Sequence, residues 1–246
     1  MDATTGPRAR PPEGRTLVPV RFDGAAPAAP ALPAAGGAAV FLAGTATAVD
    51  ASVLDAAEAT RAAGFARRLD RERYTVAHVM LRLLLGAYLG CTPGAVRLVR
   101  EPCPVCGGPH GRPAVAGAPR LHFSLSHGGS FAMAAFATEP VGVDVEPVPG
   151  EAAVRDLLGC LSAVERREFA ALAPADRPAA FARAWVRKEA RLKADGTGLA
   201  ADPAGVHAGL GPAAGPGFTD VEVPQGHAAA LAFRSGGPAG GRRPRR

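Results

Sequence analysis

Lysine is nearly absent. Of the 28 basic residues only Lys188 and Lys193 are lysines, and both lie in one stretch, WVRKEARLKADGTGL (Trp185 to Leu199), with the only tryptophan. Ala, Gly, Pro and Arg dominate the composition, as a GC-rich coding sequence would produce, and the two lysines resist that bias. Aromatics are scarce at 5%. Much of the 48% hydrophobic content is alanine, so the dense core must come from few positions. There are four cysteines, Cys91, Cys103, Cys106 and Cys160. That is too few for a disulfide scaffold at this length, and reduced thiols in a cytoplasmic protein are expected. No long apolar run exists. The segment APAAPALPAAGGAAVFLAG is interrupted by Pro30, Pro33, Gly36 and Gly37, so no membrane span is expected. Arg8, Arg10 and Arg15 precede no compact apolar run, so no signal peptide is expected either. A long basic stripe is also missing. The net charge is +6, and the tail GGRRPRR supplies four of those charges through Arg242, Arg243, Arg245 and Arg246. Nucleic acid is therefore not an expected partner.

What is present predicts an α+β protein. Residues 1–36, rich in Pro, Ala, Gly and Arg, are expected to lack order, as is the basic tail over 235–246. AAVFLAG predicts a first strand. The stretch LDRERYTVAHVMLRLLLGAYLG predicts a long helix, with Val76, Val79, Met80, Leu83, Leu84 and Tyr88 on one face, Asp70 as N-cap and Gly90 as stop. VRLVRE predicts a short strand, and a Cys, Pro and Gly-rich loop follows from Pro102. LHFSLSH alternates, with Leu121, Phe123 and Leu125 on one face and His122, Ser124 and Ser126 on the other. The Gly128-Gly129 turn joins it to FAMAAFA as a hairpin. VGVDVEPV is a further strand. Ser162 and Glu165 form a capping-box signature before AVERREFAAL. A helix from about Pro178 to Ala194 carries both lysines and stops at Gly196. VEVP and HAAALAFR are expected closing strands. HAAALAF echoes FAMAAFA about a hundred residues earlier, which divides the chain into halves over 37–138 and 139–234.

Three motifs carry chemistry. In GVDVEP, Asp144 and Glu146 project from the same strand face. Carboxylates about 6–7 Å apart repel unless something positive lies between them. A solvated strand face and a divalent cation site both satisfy that pattern. On the lysine helix, Phe181, Trp185, Glu189 and Lys193 recur every four residues. Glu189 with Lys193 would make a surface pair worth about 0.3 kcal/mol, but that does not explain lysine where arginine is the rule. A compact ammonium suits a point contact with a phosphate oxygen. Lys188 and Lys193 are therefore candidate phosphate contacts, and Glu189 a third carboxylate for Mg2+. In FSLSHGGSF, His127 and Ser126 precede a glycine pair that lets a ligand approach the backbone.

VGVDVE (Val141–Glu146), WVRKEARLK (Trp185–Lys193) and the SLSH turn together resemble the 4'-phosphopantetheinyl transferases, and their order and spacing resemble the larger, pseudo-dimeric class named for the surfactin synthetase activator. The resemblance spans about residues 41 to 234. It implies two similar α/β halves related by pseudo-twofold symmetry with the active site at their interface. It implies an enzyme that moves the phosphopantetheine arm of coenzyme A onto a serine of an acyl or peptidyl carrier protein and releases adenosine 3',5'-bisphosphate. It implies that Asp144, Glu146 and Glu189 hold Mg2+, that Lys193 lies near the diphosphate, and that His127 contacts a coenzyme A phosphate. Arg112, in HGRP, falls where the family contacts the adenosine end. The cluster Arg61, Arg67, Arg68, Arg71 and Arg73 lies near the family's basic contacts to the 3'-phosphate, with Arg61, Arg68 and Arg73 as candidates. Glu189 is the candidate base for the carrier serine. The family turn is often S-H-S; here Gly128 follows His127, an expected loss of one hydrogen bond. Both halves sit in one chain, so a cytoplasmic monomer is expected.

EPCPVCGGPHGRP holds Cys103-x-x-Cys106 and His110, half a zinc-site spacing without a fourth ligand at a typical distance. Members of the family resemble this loop, and that resemblance favours a loop that positions Arg112 at the nucleotide over a zinc site. Two other functions use the same residues. A magnesium-dependent nucleotide or coenzyme A phosphohydrolase would need only the carboxylates. A zinc- or nucleic-acid-binding module would need the cysteine loop and the tail.

Overall fold

The computed structural model describes residues 16–234. The expected unordered segments 1–15 and 235–246, with the tail arginines, lie outside the described residues. Within them the chain is mixed α+β, in the order β1 (Val20–Arg21), β2 (Ala39–Gly44), α1 (Ala56–Ala63), α2 (Arg68–Leu89), β3 (Leu98–Arg100), β4 (Pro113–Val115), β5 (His122–Gly128), β6 (Phe131–Ala137), β7 (Val141–Pro147), α3 (Glu151–Leu157), α4 (Ala163–Ala171), α5 (Arg177–Asp195), β8 (Phe218–Asp220) and β9 (His227–Phe233). One sheet runs β1-β2-β6-β5, a second β7-β9-β8, and β3-β4 form a separate ribbon.

Strand alternation stacks these elements into layers. On the first sheet Phe41, Ala43, Ala134 and Phe136 pack against Val76, Met80 and Leu84 of α2. The opposite faces of the same strands, Val40, Leu42, Met133 and Ala135, pack against Val141, Val143, Val145 and Leu231 of the second sheet. The outer face of that sheet, Ala230 and Ala232, meets Val186 and Ala190 of α5. The layers are therefore α2, sheet, sheet, α5. No helix among the described residues is long and apolar enough to cross a membrane.

Two glycines set close approaches. A Cβ at Gly142 would lie 1.9 Å from the Ala190 carbonyl oxygen and 2.6 Å from the Ala194 nitrogen, so β7 and α5 touch backbone to backbone. A Cβ at Gly128 would lie 2.4 Å from the Val145 carbonyl oxygen and 2.6 Å from Glu146 Oε2. The glycine of SLSHG is thus a packing requirement of the β5–β7 seam, where a serine would collide. Serines close that seam. Ser124 Oγ accepts from the Val143 N–H at 3.1 Å, and Ser126 Oγ from the Val145 N–H at 3.4 Å. The polar face of LHFSLSH is accordingly buried at both serines.

Gly90 and Gly196 end α2 and α5 in the left-handed conformation, and Ser162 with Glu165 forms the capping box of α4. Three expectations are corrected. Residues 16–36 are not without order. Leu17 bridges Val221, β1 pairs in parallel with β2, and Phe22 is buried. Two apolar anchors in LVPVRF suffice to tie the segment down, which a composition average conceals. The N-cap of α2 is Arg67 rather than Asp70, whose carboxylate accepts from Arg73 instead. The strand expected at VEVP is Phe218–Asp220, with only Val221 bridging beyond it.

Candidate active site

A cleft of about 700 Å³ opens where β5, β7, α5 and the β3–β4 ribbon meet. Ser126, His127, Asp144, Glu146, Glu189, Lys193 and Arg112 all line it. Local structure explains the convergence. Val143 and Val145 turn into the intersheet core, so Asp144 and Glu146 face the other way, towards α5. On α5, Phe181 and Trp185 stack with ring centroids 6.4 Å apart and anchor the helix. Glu189 and Lys193 follow one and two turns later on that stripe.

Asp144 is 2% exposed. Its Oδ1 accepts from Ser126 Oγ at 2.7 Å and from Lys193 Nζ at 2.6 Å, and Lys193 also reaches the Val143 carbonyl at 3.2 Å. Among the described residues, Asp144 Oδ2 and Glu189 Oε1 are buried without a hydrogen-bond partner. Buried carboxylate oxygens are costly when left alone. Burial, with Asp144 and Glu189 beside it, raises the Glu146 pKa to about 7 against the opposing charges of Lys193 and Arg73. Burial and Asp144 also raise Glu189, against Lys193. Three carboxylates share this cleft with one lysine beside them, although their oxygens do not all lie within 4.8 Å of one another, and they are short of positive charge. Hard oxygen donors, two of them orphaned, fit a divalent cation such as Mg2+.

His127 faces the cleft. Lost hydration lowers its pKa, and Arg73, His78 and Lys193 add to the effect. Arg73 donates to the Gly129 carbonyl at 3.3 Å and to Asp70 at 2.6 Å, and its Nε is buried and unpartnered. Arg112 is buried in the wall of the cleft. It donates to the Ala194 carbonyl at 2.8 Å and to Glu101 Oε2 at 2.6 Å, and its Nε is unpartnered. Arg100, His78 and His110 line the same cleft. Sequence reasoning missed Arg100, His78 and Glu101. The acid pairing with Arg112 could have been sought, because a buried guanidinium needs one.

The structure does not bring every candidate together. Lys188 is not a phosphate contact. It is fully buried, 2.7 Å from Glu165 Oε2, and donates to the Pro203 carbonyl at 3.1 Å and to the Val206 carbonyl. Arg61 lies over the Phe65 ring at 5.9 Å and does not line the cleft. Arg68 pairs with Glu72 and borders a separate pocket with Thr45 and Arg71. Of the three arginines expected near a phosphate, only Arg73 reaches the His127 edge. Ser126 lines the cleft, but its hydroxyl proton is committed to Asp144.

Residues 140–236 match the family model of the 4'-phosphopantetheinyl transferase superfamily. The chain is 25% identical over 165 residues to a 4'-phosphopantetheinyl transferase of Bacillus subtilis, an alignment covering 66% of this chain and 68% of that protein. It is 33% identical over 154 residues to the 4'-phosphopantetheinyl transferase HetI of a Nostoc species, covering 61% of this chain and 62% of HetI. It is 31% identical over 93 residues to the transferase Sfp of Bacillus subtilis strain 168, covering 37% of this chain and 40% of Sfp. The chain thus spans less than two thirds of HetI and of Sfp.

Proposed function

We propose, from its likeness to the 4'-phosphopantetheinyl transferase superfamily, that the chain moves the phosphopantetheine arm of coenzyme A onto a serine of an acyl or peptidyl carrier protein, releasing adenosine 3',5'-bisphosphate. The observation that carries this reading is the cleft that joins Asp144, Glu146 and Glu189 to Lys193, His127 and Arg112. Asp144, Glu146 and Glu189 would hold Mg2+. When bound, that ion supplies charge neutralisation at a diphosphate. Lys193, already fixed on Asp144, is placed to stabilise charge on the leaving phosphate. Arg73 as a cation and His127 as a hydrogen-bond donor form one edge for phosphate groups, and Arg112 would serve the adenosine end. Glu189 is also the acceptor proposed for the serine proton, directly or through water, by the carboxylate oxygen that the ion does not take.

The strand orders support two related halves. In β2-β6-β5 and β7-β9-β8 alike, the first strand of the half lies beside its last, and the last beside its penultimate. Each sheet carries one long helix, α2 or α5, on its outer face. We read this as a pseudo-twofold repeat within one chain, acting as a monomer, with the cleft between the halves.

The decisive experiment mixes the protein with coenzyme A, magnesium and a panel of apo carrier domains and follows the carriers by intact mass. Gain of the arm supports the proposal. Coenzyme A cleaved equally well with no carrier present would favour a phosphohydrolase.

A further inference from the structure

Cys103, Cys106 and His110 lie in the loop between β3 and β4, His110 at the cleft wall, and the proposed reaction gives them no task. Their Sγ and imidazole nitrogen atoms all lie within 4.8 Å of one another, the one such His/Cys/Asp/Glu group among the described residues. Around an ion with Zn–S near 2.3 Å and Zn–N near 2.0 Å, tetrahedral ligands stand about 3.5–3.8 Å apart. Cys106 Sγ and His110 Nε2 are hydrogen-bonded at 3.0 Å, so this pair need open by only about 0.5 Å to stand as neighbouring ligands of one ion. All four thiols are free, and Cys103 is buried.

The loop is shaped to hold them so. The Gly107 N–H donates to the Cys103 carbonyl at 2.7 Å, the Cys103 N–H to the Gly108 carbonyl at 2.8 Å, and the Gly108 N–H to Cys106 Sγ at 3.4 Å. Gly107 sits at φ 74°, where a side chain is strained. A Cβ at Gly108 would come within 3.0 Å of His110 Cδ2, 3.1 Å of His110 Nε2 and 3.4 Å of Cys106 Sγ. Gly108 thus keeps a side chain out of the space beside Cys106 and His110, and Gly107 supplies the left-handed turn before it.

We propose that Cys103, Cys106 and His110 bind one zinc ion, with water in the fourth position. Two thiolates and a neutral imidazole balance its charge, and thiolate donors select a soft divalent ion over magnesium. Cys106 and His110 are exposed, which leaves the fourth position open to solvent. The role is structural. The base of the loop is closed by the Glu101 N–H to Arg112 carbonyl bond at 2.9 Å and by the Glu101–Arg112 ion pair at 2.6 Å. An ion at its tip would clamp the other end and fix His110 and Arg112 on the cleft wall.

The test uses the untagged full-length chain, purified under reducing conditions, with metal content read by elemental mass spectrometry. About one zinc per chain is expected, retained in Cys91→Ser and lost in Cys103→Ser/Cys106→Ser. Stripping with a chelator should lower the melting temperature, and zinc but not magnesium should restore it. Cobalt added to the stripped wild-type chain should give a thiolate-to-metal charge-transfer band, a readout that needs no variant to fold. Reduced, stripped protein that takes up neither metal would overturn the proposal. So would zinc retained by the double variant, or a Cys103–Cys106 disulfide trapped on isolation.

Discussion

Lys193 holds its ammonium between Asp144 Oδ1 and the Val143 carbonyl, a point contact that a planar guanidinium cannot reproduce in the same space. Lys193→Ala and Lys193→Arg should each lower kcat for carrier loading by about 100-fold, the order seen when one donor to a developing charge is removed. Circular dichroism of both variants should remain that of the folded chain. Glu189→Gln should keep coenzyme A binding, measured by calorimetry, and lower turnover by about 100-fold or more; unchanged turnover would remove Glu189 from the mechanism. The common cleft of Asp144, Glu146, Glu189 and Lys193 was legible because period two on a strand and period four on a helix fix side-chain direction. The task of Lys188 was not legible. Its partner Glu165 lies on another helix, and a capping box gives no sign that its acid also meets a lysine from behind.

The docking of α5 rests on two features of the elements rather than on the cleft. Gly142→Ala would force a methyl into the Ala190 carbonyl, which a backbone cannot yield cheaply. A loss of about 3 kcal/mol is expected, the upper end for overpacking, read as a lower urea midpoint. Turnover should fall with it, because α5 carries Glu189 and Lys193. Lys188→Met should destabilise by about 3–5 kcal/mol by leaving Glu165 buried and unpaired. Bonds to Glu165 from the Ala208, Gly209 and Ser162 N–H groups favour the lower figure. Adding Glu165→Gln should recover part of that loss, and the double variant, once folded, should still load carriers. The helices were legible in the sequence because capping boxes and left-handed glycines are local signals. Strands β1 and β8, of two and three residues, were not. β1 pairs with β2 and β8 with β9, and beside them Leu17 bridges Val221, about two hundred residues away; no local pattern encodes such distant contacts.

At the scale of the molecule, two sheets are pressed face to face with the acidic cleft at their seam, so the charge of that cleft is linked to folding. The Glu146 carboxyl is raised from 4.5 to about 7 in the metal-free protein. Between those pH values the folded chain holds a proton that the unfolded chain has released. This contribution to stability is complete below pH 4.5 and disappears as pH rises through 7. Glu189 acts in the same direction. Glu165 acts in the opposite one. Burial would raise it, but Lys188 and the N–H groups of Ala208 and Ser162 hold it at about 2, so its contribution is present above pH 4.5 and fades as pH falls towards 2. In a chelator the melting temperature should therefore fall as pH is raised from 5 to 8. Magnesium competes with protons for the same oxygens, so millimolar Mg2+ should raise the melting temperature little at pH 5 and most at pH 8. Asp144→Asn should abolish that magnesium effect and weaken the fall with pH, since it removes both a ligand and one of the charges that raise Glu146. A wild-type melting temperature insensitive to magnesium at pH 8 would show that the three carboxylates do not form one cation site.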